Sequence, residues 1–341
     1  MSGDLTIGVV GTGRIGSMHA QLLDGQVAGA RLVAVADALE ASAHECARAH
    51  GVPATSVEAI ISDPAIDAVA ICSPTETHPD LIVAAAQAGK AVFCEKPISL
   101  DLGEVERALA ATVRSGTALM IGFNRRFDPS HKAVHDAVAS GQVGDPHLLR
   151  ITSRDPAPPP LAYAAGSGGI FLDMTIHDFD MARYVVGSEV VEVFARGAIR
   201  LLPELAELGD VDTAVVTLVH DNGCLTVIDN SRQATYGYDQ RVEVLGSRSL
   251  AASENPLAHT ALFADAGGMR RAVLPSFFIE RYRTSYLAQW DAFVAALAGK
   301  GPVPTTGADG RAALVLGLAA RRSLAENRPV APTEIAPLDP A

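Results

Sequence analysis

Close to its start the chain reads Gly11-Thr12-Gly13-Arg14-Ile15-Gly16, a G-x-G-x-x-G set between a short β-rich run and a helical pattern. In that setting each glycine has its own use, since Gly11 permits a tight turn, Gly13 lets a pyrophosphate approach bare backbone, and Gly16 lets the helix pack closely on the strand. With Arg14 and Ile15 at the helix start, amide donors and a positive dipole complete a dinucleotide-phosphate site. Asp37 ends the second β-rich run, 21 positions after Gly16, where a carboxylate accepts both hydrogen bonds of an adenosine ribose. A 2′-phosphate there meets a fixed negative charge, and Ala38 and Leu39 bring no cation, so the expected cofactor is NAD; Arg14 softens that preference.

Three further segments carry chemistry. Ser73, Thr75 and His78 lie in a polar turn that opens a helix after a central β-rich run, where ligands of open α/β sheets bind; helix capping is the competing role for His78 and its neighbour Thr77. Glu95-Lys96-Pro97 ends the next run and brings a charged pair to the rim expected for nicotinamide. Lys96 is a candidate acid/base that hydrogen-bonds the hydroxyl being oxidised, against the plainer reading of a solvated lysine in a proline turn. Residues 169–186 are read as one helix after a glycine turn, which puts Asp173, His177 and Asp180 at i, i+4 and i+7 on one face. Ile176, Phe179 and Ala182 fall on other faces, and a polar stripe on a buried helix needs a reason. His177 can take the hydroxyl proton while a nearby carboxylate holds the ring or Lys96 in place. No further His or Cys cluster completes a metal site around these residues, and hydride transfer needs none, so no metal is expected.

These residues need a scaffold. Apolar runs at residues 5–10, 31–36, 67–72, 91–94 and 118–123 alternate with helical patterns at 15–23, 39–50, 78–88 and 102–115. Alternation of that kind means a parallel sheet covered by helices on both faces. Beyond Phe123 the pattern changes to a helix at 131–139, a proline-rich loop at 156–160, the helix at 169–186, and strands at 190–199, 212–220, 224–230, 240–245 and 271–274. The last group reads as antiparallel, and two helices, at 278–298 and 308–325, finish the chain. The expected fold is α/β: an N-terminal Rossmann doubly wound parallel sheet over residues 1–122, then a C-terminal α+β domain with a large, mostly antiparallel open sheet over 123–341. The last helix, about 308–326, is a candidate to pack back on the first domain.

Composition bounds the partners. With 341 residues, 48% hydrophobic and 19% charged, the chain is an ordinary globular protein long enough for two cores. A net charge of -12 gives no broad attraction to phosphate backbones or anionic lipid, which leaves a small neutral substrate as the expected partner rather than nucleic acid or membrane. No apolar run approaches the roughly 18 needed to cross a bilayer. Because no basic and apolar leader precedes the first strand, a cytoplasmic location is expected. Cys46, Cys72, Cys94 and Cys224 are widely separated and are read as buried, reduced thiols.

Taken together, the G-x-G-x-x-G, Ser73-Pro74-Thr75 before His78, Glu95-Lys96-Pro97 and the Asp173 to His177 spacing resemble the Gfo/Idh/MocA oxidoreductases over nearly the whole chain. Within that family, Gly122-Phe123-Asn124-Arg125-Arg126-Phe127-Asp128, Ser153-Arg154-Asp155-Pro156, the segment from Gly169 to Arg183, Tyr236-Gly237-Tyr238-Asp239 and the segment from Phe277 to Tyr282 are similar to inositol 2-dehydrogenases. The resemblance implies a catalytic group of Lys96, Asp173 and His177, with Arg125, Asp155, Asp180 and Tyr236 as further contacts for a polyol such as myo-inositol. It implies a cis Lys96-Pro97 bond and a homotetramer joined through the open sheets. Ala164-Ala165-Gly166 departs from the bulkier or charged residues common there, which leaves scyllo-inositol, chiro-inositol or an aldose open as substrate. A non-catalytic dinucleotide sensor is the rival from another class.

Overall fold

A computed structural model describes residues 4–336, so the outermost ends of the expected spans 1–122 and 123–341 lie outside the described residues. The chain divides into two compact units, Met1–Asn124 with Thr284–Ala312, and Arg125–Arg283 with Ala313–Ala341. The chain passes between the units at 124/125, 283/284 and 312/313, against an expected single boundary at 122/123. Residues 284–312, read from sequence as part of the second domain, group with the first.

In the first unit five strands, β1 (Leu5–Val10), β2 (Ala30–Ala36), β3 (Ala68–Ile71), β4 (Ala91–Cys94) and β5 (Leu119–Ile121), form a parallel sheet in the order β2-β1-β3-β4-β5. Every residue of β3 and β5 is buried, the signature of a strand covered on both faces. The covering helices are α1 (Arg14–Leu23), α2 (Glu40–His50), α3 (Val57–Ser62), α4 (His78–Gln87) and α5 (Leu102–Ser115). Their ends follow local chemistry: Ser56 and Asp101 accept N–H bonds from Ala59 and Glu104 as N-caps, and Gly51 and Gly116 close α2 and α5 in the left-handed conformation. Sequence periodicity misses the short α3. A parallel bridge from Val35 to Ala54 adds a rudimentary edge beside β2. The chain leaves β1 in opposite directions toward β2 and β3, so the carboxyl ends of β1 and β3 flank the crevice where open α/β sheets bind ligands.

The second unit contains α6 (Pro129–Ala139), β6 (Pro146–Arg154), α7 (Leu161–Gly166), α8 (Ile170–Asp173), α9 (Ile176–Val186), β7 (Val190–Ala198), β8 (Thr213–His220), β9 (Leu225–Ser231), β10 (Asp239–Gly246) and β11 (Leu250–Ser253). Its sheet runs β11-β10-β6-β9-β8-β7 and is antiparallel except between β6 and β9. Alternation along β8 and β9 buries Val216, Leu218 and Ile228 against a core that includes Phe179 and Val185 of α9. Val215, Leu225 and Leu245 are left exposed.

Three expectations are corrected. The helix expected over 169–186 is two, α8 and α9, separated at Met174 and Thr175. The Thr175 hydroxyl donates to Asn230 Oδ1 of β9 at 2.6 Å, a long-range tie that no local pattern announces. The strand expected at 271–274 is not formed; a small hairpin of β12 (Phe263–Asp265) and β13 (Gly268–Arg270) precedes it. The interior strand β6 and the edge strand β11 have no counterpart among the expected strands. Finally come α10 (Phe278–Leu297), interrupted by non-helical backbone at Tyr282, and α11 (Gly307–Glu326).

Candidate active site

The three glycines of the first loop differ in the space around them. A Cβ on Gly11, whose φ is +90°, would lie 2.4 Å from the Ser73 nitrogen, and one on Gly16 would lie 1.8 Å from the Gly11 carbonyl oxygen. Gly13, just before α1, has nothing within 4 Å. Two glycines thus close the β1, β3 and α1 junction, and the third leaves the helix N-terminus open for a phosphate, which fits a bound dinucleotide. Arg14 is exposed at the first position of α1, with Ile15 half-buried behind it.

Asp37, at the end of β2, accepts from the Thr12 N–H at 2.6 Å and the Thr12 hydroxyl at 3.0 Å on Oδ2, and from the Leu39 N–H at 2.8 Å on Oδ1. Burial opposes its charge, but these bonds from Leu39 and Thr12 outweigh burial and hold the carboxyl below its ordinary pKa. The ribose acceptor expected from sequence is therefore an ionised group that also anchors the glycine loop.

Ser73 Oγ lies 2.6 Å from Thr77 Oγ1, and Thr75 begins a 3-10 turn ahead of α4. His78 is buried with Nδ1 and Nε2 each 2.8 Å from a backbone carbonyl, Pro97 and Ser73 respectively. Burial holds its pKa below the usual histidine value, against the carbonyls and the nearby Glu95 and Glu76. The ring is a strut between the turns after β3 and β4. The Lys96-Pro97 bond is cis, and Lys96 is half-buried. Behind Glu95 lies a chain the sequence did not announce: Trp290 Nε1 donates to His19 Nδ1 at 2.9 Å, which leaves His19 Nε2 to donate to Glu95 Oε1 at 2.8 Å. A Cβ on Gly122 would come within 2.9 Å of that carboxylate, which accounts for the glycine.

In the second unit Asp173 ends α8 and His177 lies in the first turn of α9, both half-buried while the rest of residues 170–182 is buried. Asp173 accepts from the Tyr163 hydroxyl at 2.9 Å and from Arg232 Nη1 at 3.0 Å. Asp155, at the exit of β6, is part-buried; burial pushes its carboxyl up to about 6, with Arg232 and Arg125 pulling it down and Asp173 and Asp178 pushing it up. Asp155, Asp173, Arg232 and Arg125 thus form one electrostatic cluster.

Three further expected contacts are held by protein partners. Asp180, read as sharing a face with Asp173 and His177, is buried and paired through both oxygens with Arg126, at 2.8 and 2.5 Å. Tyr236 is exposed, its hydroxyl held between Arg154 at 2.9 Å and Asp239 at 2.7 Å. Arg125 is buried, with Nη1 2.6 Å from Asp178 Oδ1 and 2.7 Å from Ser153 Oγ. Asp178, which no sequence pattern singles out, is inaccessible and also accepts from Asn230 Nδ2 at 2.8 Å. The run Asn230-Ser231-Arg232 at the exit of β9 was the available signal for this polar network. All four cysteines are buried free thiols. Among the described residues no group of three or more His, Cys, Asp or Glu is placed to hold a metal ion, and no helix is long and apolar enough to cross a membrane.

Comparison with known proteins sets this geometry in a family. Residues 5–123 match the GFO/IDH/MocA oxidoreductase family, NAD-binding Rossmann fold, and residues 131–251 match the GFO/IDH/MocA C-terminal domain. A myo-inositol 2-dehydrogenase of Thermotoga maritima is 49% identical over 97% of this chain and 99% of its own. An inositol 2-dehydrogenase of Rhizobium meliloti is 47% identical over 95% of this chain and 98% of its own. The crystal structure of a Lactobacillus casei scyllo-inositol dehydrogenase with bound NAD(H) and scyllo-inositol superposes with a TM-score of 0.90 at 30% identity, covering 97% of this chain and 99% of that one. The glycine loop with its open Gly13, the ionised Asp37 and these matches agree: the chain belongs to the GFO/IDH/MocA family and is an NAD-dependent oxidoreductase.

Proposed function

We propose that this protein oxidises a ring hydroxyl of myo-inositol to the corresponding inosose. NAD, when bound, supplies the hydride acceptor. Gly11, Gly13, Arg14, Ile15 and Gly16 hold its pyrophosphate, Asp37 its adenosine ribose, and the turns bearing Ser73, Thr75, His78, Glu95 and Lys96 the remainder. Lys96 hydrogen-bonds the reacting hydroxyl and His177 takes its proton, while Asp173 keeps the proton acceptor oriented and Asp155 binds a neighbouring hydroxyl. The first unit serves the nucleotide and the second the polyol.

The observation that carries the reading is the cluster of Asp155, Asp173 and Arg232, with half-buried His177 in the first turn of the following helix: hydrogen-bonding side chains suited to an uncharged, hydroxyl-rich ring. The inositol specificity in the names of the relatives agrees with it. The Lactobacillus casei structure favours scyllo-inositol as the second candidate. An NADH-absorbance assay across myo-, scyllo- and chiro-inositol and glucose separates these. Lys96→Ala and His177→Ala are expected to bind NAD normally and to lower kcat about a hundredfold or more. NADH binding without turnover on any polyol would instead establish a sensor. We also place the protein in the cytoplasm, as a homotetramer closed over the exposed sheet face bearing Val215, Leu225 and Leu245; light scattering at four times 35.5 kDa is the expected result.

A further inference from the structure

Arg232 lies just beyond the end of β9 with its side chain 1% exposed, the second largest of the fully buried side chains after Trp290. Only Nη1 is hydrogen-bonded, to Asp173; Nε and Nη2 are buried without an acceptor among the described residues. A buried guanidinium satisfied so incompletely costs stability, and an apolar residue of similar volume would pack there without that penalty. Its neighbours show what it holds.

Asp210 Oδ1 accepts from the Ile170 N–H at 2.9 Å, at the first residue of α8, and Asp210 Oδ2 stands 4.0 Å from Arg232 Nη2. The same guanidinium bonds Asp173, the last residue of α8. One end of this four-residue helix is therefore tied to the other through Asp210 and Arg232. A Cβ on Gly169 would meet Asp210 Oδ1 at 2.8 Å, so the turn before α8 is shaped around the same carboxylate. A single turn of helix has little stability of its own, and the brace on Oδ2 complements the Tyr163 hydroxyl on Oδ1 in fixing the direction of the Asp173 carboxylate.

We propose that Arg232 is a positioning residue for the dehydrogenation: braced against Asp210, it aims Asp173 and acts on the chemical step through Asp173. Its charge separately holds down the Asp155 carboxyl. The inference rests on the assignment of Asp173 to catalysis made above, and the test separates the two.

Steady-state kinetics with NAD and myo-inositol are measured for Arg232→Met, Arg232→Lys, Asp173→Asn and the double variant Asp173→Asn/Arg232→Met, with melting curves and NADH binding as checks on folding. Expected are a loss of kcat of about tenfold or more in Arg232→Met with KM for NAD unchanged, recovery to within about threefold of the parent in Arg232→Lys, and a double variant no slower than Asp173→Asn alone. Should Arg232→Met not fold, Asp210→Asn keeps an acceptor for Ile170 and removes the charge facing the guanidinium; a fall in kcat of about threefold or more, absent in the Asp173→Asn background, supports the same brace. An impaired Asp173→Asn beside a fully active Arg232→Met, or losses that multiply in the double variant, overturn the inference and leave the catalytic assignment standing. A fully active Asp173→Asn overturns both.

Discussion

Asp37 and Thr12 are joined twice: the carboxylate at the end of β2 accepts from both the backbone N–H and the hydroxyl of the residue inside the glycine loop, at 2.6 and 3.0 Å. Cofactor choice and loop shape therefore depend on one side chain. Asp37→Ala is expected to raise KM for NAD at least about tenfold, to improve the ratio of NADP to NAD activity, and to lower stability by about 1–3 kcal/mol as the loop loses its anchor. Kinetics with both nucleotides and urea titration check this; unchanged NAD kinetics would remove Asp37 from the ribose site.

Gly13 and Gly16 predict opposite outcomes for the same substitution. Gly16→Ala drives a methyl into the Gly11 carbonyl and is expected to destabilise the fold by at least about 2 kcal/mol. Gly13→Ala meets open space at an ordinary backbone angle, so it should melt with the parent and yet bind NADH about tenfold more weakly. Calorimetry of melting and of binding reads both.

Asp155 predicts a pH dependence. Its folded value of about 6 lies above the ordinary aspartate value of 3.8, so the folded state holds the proton more tightly and this group's contribution to stability is lost as pH rises from about 4 through 6. Asp155→Asn is expected to gain on the parent above pH 6, by on the order of 2 kcal/mol in denaturant titrations, with the advantage shrinking toward pH 4. If Asp155 receives a substrate hydroxyl, kcat/KM for the polyol in the parent also has a limb near pH 6 that the variant lacks.

Arg125 and Asp178 form a buried pair in which either partner alone is worse than neither. Arg125→Met leaves an uncompensated carboxylate and is expected to cost about 3–5 kcal/mol, whereas adding Asp178→Asn should recover a large part of that loss. A double-mutant cycle by chemical denaturation measures the coupling; additive losses would mean the pair is not a unit.

The parallel sheet was legible because its signals are local: five apolar runs, alternating helical patterns and a glycine loop at the first junction, each decided within about ten residues. What escaped depends on partners far along the chain. β6 reads as polar because Arg150, Thr152 and Arg154 alternate along it, and only its pairing with β10 and β9 makes it interior to the sheet. The division of 169–186 into α8 and α9 accompanies a bond from Thr175 to Asn230, 55 residues away. Helical spacing placed Asp173, His177 and Asp180 on one face, but the break at Met174 and Thr175 leaves Asp173 on α8 and the other two on α9, where Arg126 pairs with Asp180. The brace through Asp210 and Arg232 joins the loop before β8, the exit of β9 and both ends of α8, which no spacing rule connects.

The chain has one tryptophan, and its indole touches the imidazole that grips Glu95, next to Lys96. This protein thus carries a built-in optical reporter, a fluorophore joined through two successive hydrogen bonds to the loop that bears Lys96. Stopped-flow recording of that emission can follow events at the loop in real time, without any label.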